Sequence, residues 1–312
     1  MANKFGRDVV QRYDQNPILT VDDIPFPCNT VFNAAATRLG DETILLLRVE
    51  NLQGHSILVV ARGTDGYHFT VDEEPFMTPS RDEPFATYER KGVEDPRITF
   101  LEGTYYIVYT AASGYGARLA LAKTDDFRSV ERVGLISEPD NKDGTLFSRK
   151  VGGRYARFDR PMVGDTGNIW ISYSDDLLHW GDSHVALPVR GDCWDSWRVG
   201  ASAQPIETRA GWLEIYHGVK STSAGPIYRL GAAMFDKDDL THLLCRSSIP
   251  ILTPREYYER IGDVGNVVFS CGAIMEDGED ERITIYYGAA DTSICIGTVR
   301  VDELLQWCAI GE

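Results

Sequence analysis

Short runs of Ile, Val, Tyr and Trp recur along the whole chain, each bounded by Gly, Asp or Asn. An apolar stripe with helical spacing is hard to find, so the pattern predicts strands. The runs come in similar pairs. Ile44–Arg48 is followed by Ile57–Asp65, Tyr105–Thr110 by Leu119–Asp126, and Tyr155–Phe158 by Ile169–Asp176. Trp212–Tyr216 then precedes Leu230–Asp236, and Ile283–Tyr287 precedes Cys295–Asp302. Aspartates close the second run of each pair (Asp65, Asp125, Asp175, Asp236 and Asp302), spaced by 60, 50, 61 and 66 residues. Such a period is longer than a typical propeller blade of about 40–50 residues, which leaves a surplus for loops. Radial repetition of four-stranded sheets around a channel is the usual outcome. The expected fold is therefore all-β, a five-bladed β-propeller, with a large β-sandwich as the competing arrangement. Only Asp302–Trp307 reads as helical, and no linker or low-complexity stretch divides the chain, so residues 1–312 are expected to form one domain.

Composition narrows the partners. At 43% hydrophobic and 25% charged residues the chain is an ordinary globular one. Its 31 basic against 47 acidic residues give a formal charge of −16, which repels a phosphate backbone or an anionic bilayer. Nucleic acid and membrane are excluded as first expectations. The N-terminus, Met1 to Arg7, lacks the apolar core and cleavage site of a leader, which predicts a cytoplasmic protein. Six scattered cysteines without a Cys-x-x-Cys pair read as small buried thiols, and six histidines without ligand spacing predict no tightly bound metal. Phosphate-loop, dinucleotide, nucleophile-elbow and zinc-protease motifs are missing.

Candidate chemistry sits where apolar strands end. Glu94-Asp95-Pro96-Arg97 precedes the run Ile98–Leu101, and the proline is expected to hold Asp95 extended, fixing a carboxylate for proton transfer. The competing reading is an Asp–Arg pair closing a turn. Arg149, Lys150, Arg154, Arg157 and Arg160 crowd a short stretch of this acidic chain, and arginine forks suit carboxylate or phosphate oxygens. Which of them converge stays open, because Gly152-Gly153 and Pro161 imply turns. Trp197-Arg198 and His217-Gly218 end strands in a polar group near glycine, and Asp291 follows Tyr286-Tyr-Gly-Ala-Ala in the last unit. Abundant aromatic rings beside carboxylates point to carbohydrate.

These residues make the chain resemble glycoside hydrolase family 130, the inverting β-mannoside phosphorylases and related β-mannosidases, which are five-bladed propellers. The resemblance is carried by Val31-Phe-Asn33-Ala-Ala, Glu94-Asp95-Pro96-Arg97, Leu146-Phe-Ser-Arg149-Lys, Arg160-Pro161, Ile215-Tyr-His217-Gly, Pro254-Arg-Glu256-Tyr-Tyr, Gly262-Asp-Val-Gly-Asn266 and Tyr286–Thr292, in that order. It implies that Asp95 is the catalytic acid, protonating the glycosidic oxygen through a mannose hydroxyl. It implies that Asn33, Arg48 and Asp291 grip the mannosyl unit, and that Arg149, Arg160, Arg198, His217 and Tyr228 hold phosphate. The expected reaction is phosphorolysis of a β-mannoside to α-mannose 1-phosphate, with inorganic phosphate as co-substrate and no further cofactor; assembly into a homo-oligomer is left open. An inverting hydrolase would need a second carboxylate as base. Glu94, standing where relatives carry an aromatic, is the candidate. Ala34 stands where others have a serine.

Overall fold

The computed structural model describes residues 8–276, 278 and 281–308. The heptapeptide on which the absence of a leader was read lies outside the described residues. After a two-residue strand β1 (Gln11–Arg12), blade one comprises β2 (Cys28–Leu39), β3 (Glu42–Asn51), β4 (Ser56–Gly63) and β5 (Thr70–Val71). Blade two is β6 (Gly92–Leu101), β7 (Thr104–Ser113), β8 (Gly116–Thr124) and β9 (Glu131–Leu135). In blade three, β10 (Asn141–Leu146) and β11 (Tyr155–Val163) lead through the short β12 (Thr166–Gly167) to β13 (Ile169–Ser174) and β14 (Gly181–Leu187). Blade four has β15 (Arg198–Ala201), β16 (Ile206–Glu207), β17 (Trp212–Thr222), β18 (Gly225–Phe235) and β19 (Leu243–Arg246). Blade five is β20 (Val268–Met275), β21 (Arg282–Ala289) and β22 (Ser293–Arg300), and its fourth strand is β1, paired so that Gln11 faces Thr298 and Arg12 faces Gly297. The start of the chain thus closes the ring of a five-bladed β-propeller.

The apolar pairs seen in the sequence are the middle strands of the five blades. They read as continuous runs because both faces of a blade are buried against its neighbours. Leu45, Leu47, Val49, Ile57 and Val59 pack in the seam with blade five, while the alternating Ile44, Leu46, Leu58 and Val60 pack in the seam with blade two. Each such side chain withdraws about 2 kcal/mol worth of apolar surface from water, and strand alternation distributes the benefit to both seams.

The repeated aspartate has a local cause. Asp65 Oδ1 accepts the N–H groups of Tyr67 and His68 at 2.9 and 2.8 Å, and Asp236 Oδ1 those of Asp238 and Asp239 at 2.9 and 3.0 Å. In blades two and three the working residues are Asp126 and Asp176, one position after the expected Asp125 and Asp175. An aspartate capping its own turn is a favoured way to leave a strand, and these backbone donors hold the Asp65 carboxyl down to about 2. Asp302 departs from the pattern: it lies in the first turn of the helix Val301–Cys308 and pairs with Arg300.

Inner strands β2, β6 and β10 each carry a bulge, between Phe32 and Ala35, Glu94 and Arg97, and Lys142 and Thr145. Each bulge holds one residue in the left-handed region, Asn33 (φ 51°), Asp95 (φ 48°) and Asp143 (φ 57°). Asn and Asp tolerate this conformation best among residues with a side chain, at about 1–2 kcal/mol. The bulges re-aim those side chains. Asp95 is accordingly not the extended residue that Pro96 was expected to impose. Among the described residues no helix is long and apolar enough to cross a membrane.

Candidate active site

The three bulges and the ends of neighbouring strands meet at a cleft of about 470 Å³ at the mouth of the channel. Asn33, Arg48, Asp95 and Asp291 line it from blades one, two and five, and Arg160, Arg198, His217 and Tyr228 from blades three and four. Arg149 is not there. Its guanidinium makes two bonds to Glu207, at 2.7 and 2.9 Å, and lies 5.0 Å over the Trp212 ring. Of the basic stretch only Arg160 reaches the cleft: Arg154 pairs with Asp182, and Arg157 is buried against Asp159 and Trp180.

On one side, Asn33 Nδ2 and Arg48 Nη1 both donate to Asp95 Oδ1, at 2.9 and 2.8 Å. Gly288 leaves room for Asn33, since a Cβ there would collide with the Asn33 amide. Burial raises the Asp95 carboxyl, but the charges of Arg48, Lys142 and Arg97 and the Asn33 hydrogen bond outweigh it, so the group lies below its usual value. Arg97 makes no pair with this carboxylate. It donates to the Asp95 carbonyl at 2.9 Å and to Asp143 at 3.1 Å, which replaces the simple Asp–Arg turn. Asp291 is the opposite case: burial, helped by the charge of Asp95 and opposed by Arg48, pushes it up to about 7.

On the other side, Asp143 organises the cations. Arg160 Nε lies 2.7 Å from Asp143 Oδ2 without hydrogen-bond alignment, an ion pair, and His217 Nε2 lies 3.4 Å from the same oxygen. A side chain at Gly200 would collide with both Asp143 and His217, which explains a glycine two residues after Arg198. Burial drives His217 down and Asp143 only partly opposes it, so the ring is neutral at pH 7. Its Nδ1 has no partner. Phe269 flanks the ring at 4.4 Å, and Tyr228 lies beyond at 6.3 Å. Arg198 stacks on Trp197 at 4.0 Å and donates to the Asp165 carbonyl at 3.1 Å.

The profile of glycoside hydrolase family 130, described as beta-1,4-mannooligosaccharide phosphorylase, matches residues 8–310. The chain belongs to this family. It is 35% identical to the beta-1,2-mannobiose phosphorylase of Listeria innocua over 95% of this chain and 98% of that protein. It is 33% identical to the beta-1,4-mannooligosaccharide phosphorylase of Ruminococcus albus over 96% and 91%. The solved structure of the Listeria enzyme with beta-1,2-mannobiose matches with a TM-score of 0.87 at 33% identity, covering 96% of this chain and 99% of that one.

Among the cleft residues of this family 130 chain that escaped the sequence reading are Lys142 and Asp143. Lys142 lines the cleft from β10, and its Nζ lies 3.3 Å from Glu94 Oε2. Glu94 Oε1 in turn lies 3.2 Å from Arg48 Nη2. Glu94 is thus clamped between two cations and is not among the residues lining the cleft. The available signal was a polar Asn141-Lys-Asp143 interruption just before Gly144-Thr-Leu146, similar to the one at Glu94-Asp95.

Proposed function

We propose that residues 1–312 act as one five-bladed catalytic domain, an inverting β-mannoside phosphorylase that transfers the mannosyl unit to inorganic phosphate as α-mannose 1-phosphate. The observation that carries this reading is the division of the cleft: on one wall Asp95 is held by Asn33 and Arg48, and the other wall gathers Arg160, Arg198 and His217. Asn33, Arg48 and Asp291 hold the mannosyl unit, and Asp95 supplies a proton to the leaving oxygen through a sugar hydroxyl. Lys142, Arg160, Arg198, His217 and Tyr228 receive the phosphate, Lys142 in place of Arg149. Phosphate needs no deprotonation to attack, so one acid suffices, whereas inverting hydrolysis needs a second carboxylate free to activate water. Glu94 is held by Arg48 and Lys142 and does not fill that role. Arrival of an anion also offsets the cations that keep Asp95 ionised, so phosphate binding favours the protonated acid. Six cysteines without a disulfide fit a reducing compartment, the cytoplasm.

The test is direct. With β-1,2- or β-1,4-mannobiose, α-mannose 1-phosphate should appear only when phosphate is supplied. Free mannose released equally fast without phosphate would refute the assignment. Running the reaction backwards from α-mannose 1-phosphate over a panel of acceptors identifies the linkage.

A further inference from the structure

The seam between blades two and three is unlike the others. Its apolar layer is thin, built on Leu101, Val108, Leu119, Leu121, Ile136, Leu146 and Leu177. Outside that layer the blades part around a cavity of about 880 Å³, within the usual range of small-molecule sites and larger than the catalytic cleft. Two tryptophans, Trp170 and Trp180, line it from blade three. Trp180 is fixed, its Nε1 donating to the Leu177 carbonyl at 2.9 Å and Arg157 lying 4.3 Å from the ring centroid.

The polar groups around these rings are unevenly satisfied. Arg157, only 2% exposed, donates to the Ile136 carbonyl at 2.8 Å and to Asp159 at 2.6 Å, yet its Nε has no partner. Trp170 Nε1 is likewise buried and unpartnered. Leaving a buried donor unmade costs about 1–3 kcal/mol, so the cavity favours a ligand rich in oxygen acceptors. Arg118 and Arg157 are balanced by Glu138 and Asp159, which removes the electrostatic case for an anion. Flat indole surface, spare donors and balanced charge together describe a site for a neutral saccharide, whose C–H faces stack on rings while its hydroxyls accept hydrogen bonds.

Position strengthens the case. Strand β11 is the wall shared by both cavities: Asp159, Pro161 and Val163 face this groove, and Arg160 and Met162 face the cleft. We propose that the inter-blade groove is a second carbohydrate site, which holds a segment of a β-manno-oligosaccharide away from the point of cleavage. The choice of a manno-oligosaccharide rests on the function proposed above; the groove itself does not. Among its lining residues Val163 is 67% exposed and Leu178 37%, so a second copy of the chain is the competing occupant.

The experiment uses Asp95→Asn protein, which leaves substrate intact, with β-1,4-mannohexaose, β-1,2-mannohexaose and the two mannobioses as probes. Hydrogen exchange read by mass spectrometry should show protection of residues 133–138 and 169–183 with at least one hexaose and with neither mannobiose. In the active background, Trp180→Ala should weaken hexaose binding about tenfold and leave mannobiose turnover within about twofold. Trp170→Phe removes the spare donor and trims the ring while keeping an aromatic face, guards against misfolding of the first variant, and should weaken hexaose about threefold. Hexaose affinity unchanged in both folded variants, or protection confined to the cleft, overturns the proposal. Protection of the groove that rises with protein concentration without saccharide does so too, in favour of a dimer contact. If mannobiose is not phosphorolysed but hexaose still protects the groove, the catalytic reading fails and this one stands.

Discussion

The two walls of the cleft handle charge in opposite ways. On the wall from blades one, two and five, donors are matched to acceptors inside the protein: Asn33 and Arg48 converge on a single oxygen of Asp95, and Arg48 also reaches Ser56 and Glu94. On the wall from blades three and four, Arg160 and His217 share one oxygen of Asp143, His217 Nδ1 has no partner, and Arg198 has a backbone carbonyl. The donors named on the first wall meet acidic side chains, with Asn33 Oδ1 left as an unpartnered acceptor; on the second, Arg198 meets only a backbone carbonyl among the described residues. On the function proposed above, the first wall aims one acid and the second receives an anion, so damage to the first should fall on turnover and damage to the second on the demand for phosphate.

The largest effect should therefore come from Asp95→Asn, which keeps the shape and the Arg48 contact but removes the proton donor. We expect turnover to fall at least about a hundredfold, as for loss of a general acid, with little change in the phosphate KM. Wild-type-like activity, measured as phosphate-dependent release of mannose 1-phosphate, would remove Asp95 from its role. Next in size, Arg160→Ala or His217→Ala should raise the phosphate KM about tenfold or more, in line with loss of a charge-assisted contact, and raise the sugar KM by much less. Equal rises in both would erase the distinction between the walls.

How much of this was visible in the chain depends on what each strand touches. The middle strands announce themselves because both faces are apolar, as in Ile44–Leu47 and Ile57–Val60. Inner strands border a polar channel, and β2, β6 and β10 are broken by bulges, so they appear as motifs around Asn33 and Asp95 and not as runs. Lys142 and Asp143 were passed over because one lysine and one aspartate in an acidic loop look like solvent-exposed charge, and nothing local reports that β10 turns them inward. Arg149 drew attention for the converse reason: density of charge in sequence is visible, whereas the Glu207 that satisfies it lies 58 positions away.

A smaller effect should separate the walls by pH. Asp291 holds its proton to about 7 in the fold, while an unfolded aspartate releases it near 4. The folded state then binds more protons than the unfolded one between those values, so this group costs stability as pH rises through that window, by up to about 4 kcal/mol. Asp291→Asn should raise the Tm at pH 8 relative to wild type and leave it nearly unchanged at pH 4. The same ionisation sets a second negative charge near Asp95 and should weaken mannoside capture above pH 7, a limb in kcat/KM that the variant lacks. Persistence of that limb would assign it elsewhere.

The smallest effect tests the boundary of the cationic wall. Arg149 is 42% exposed at the side chain, paired with Glu207 and resting on Trp212, and an exposed pair of this kind contributes about 0–1 kcal/mol. Arg149→Ala should change the phosphate KM by less than about twofold and cost little stability. Lys142→Ala, which removes a cation from the cleft and releases Glu94, should raise that KM about tenfold. The two substitutions delete the same charge from the same blade, so net charge cannot explain a difference between them; only position can. If Arg149→Ala proved the more damaging of the two, the anion would have to approach from the Trp212 side of blade three, and the cleft would no longer be where phosphate is held.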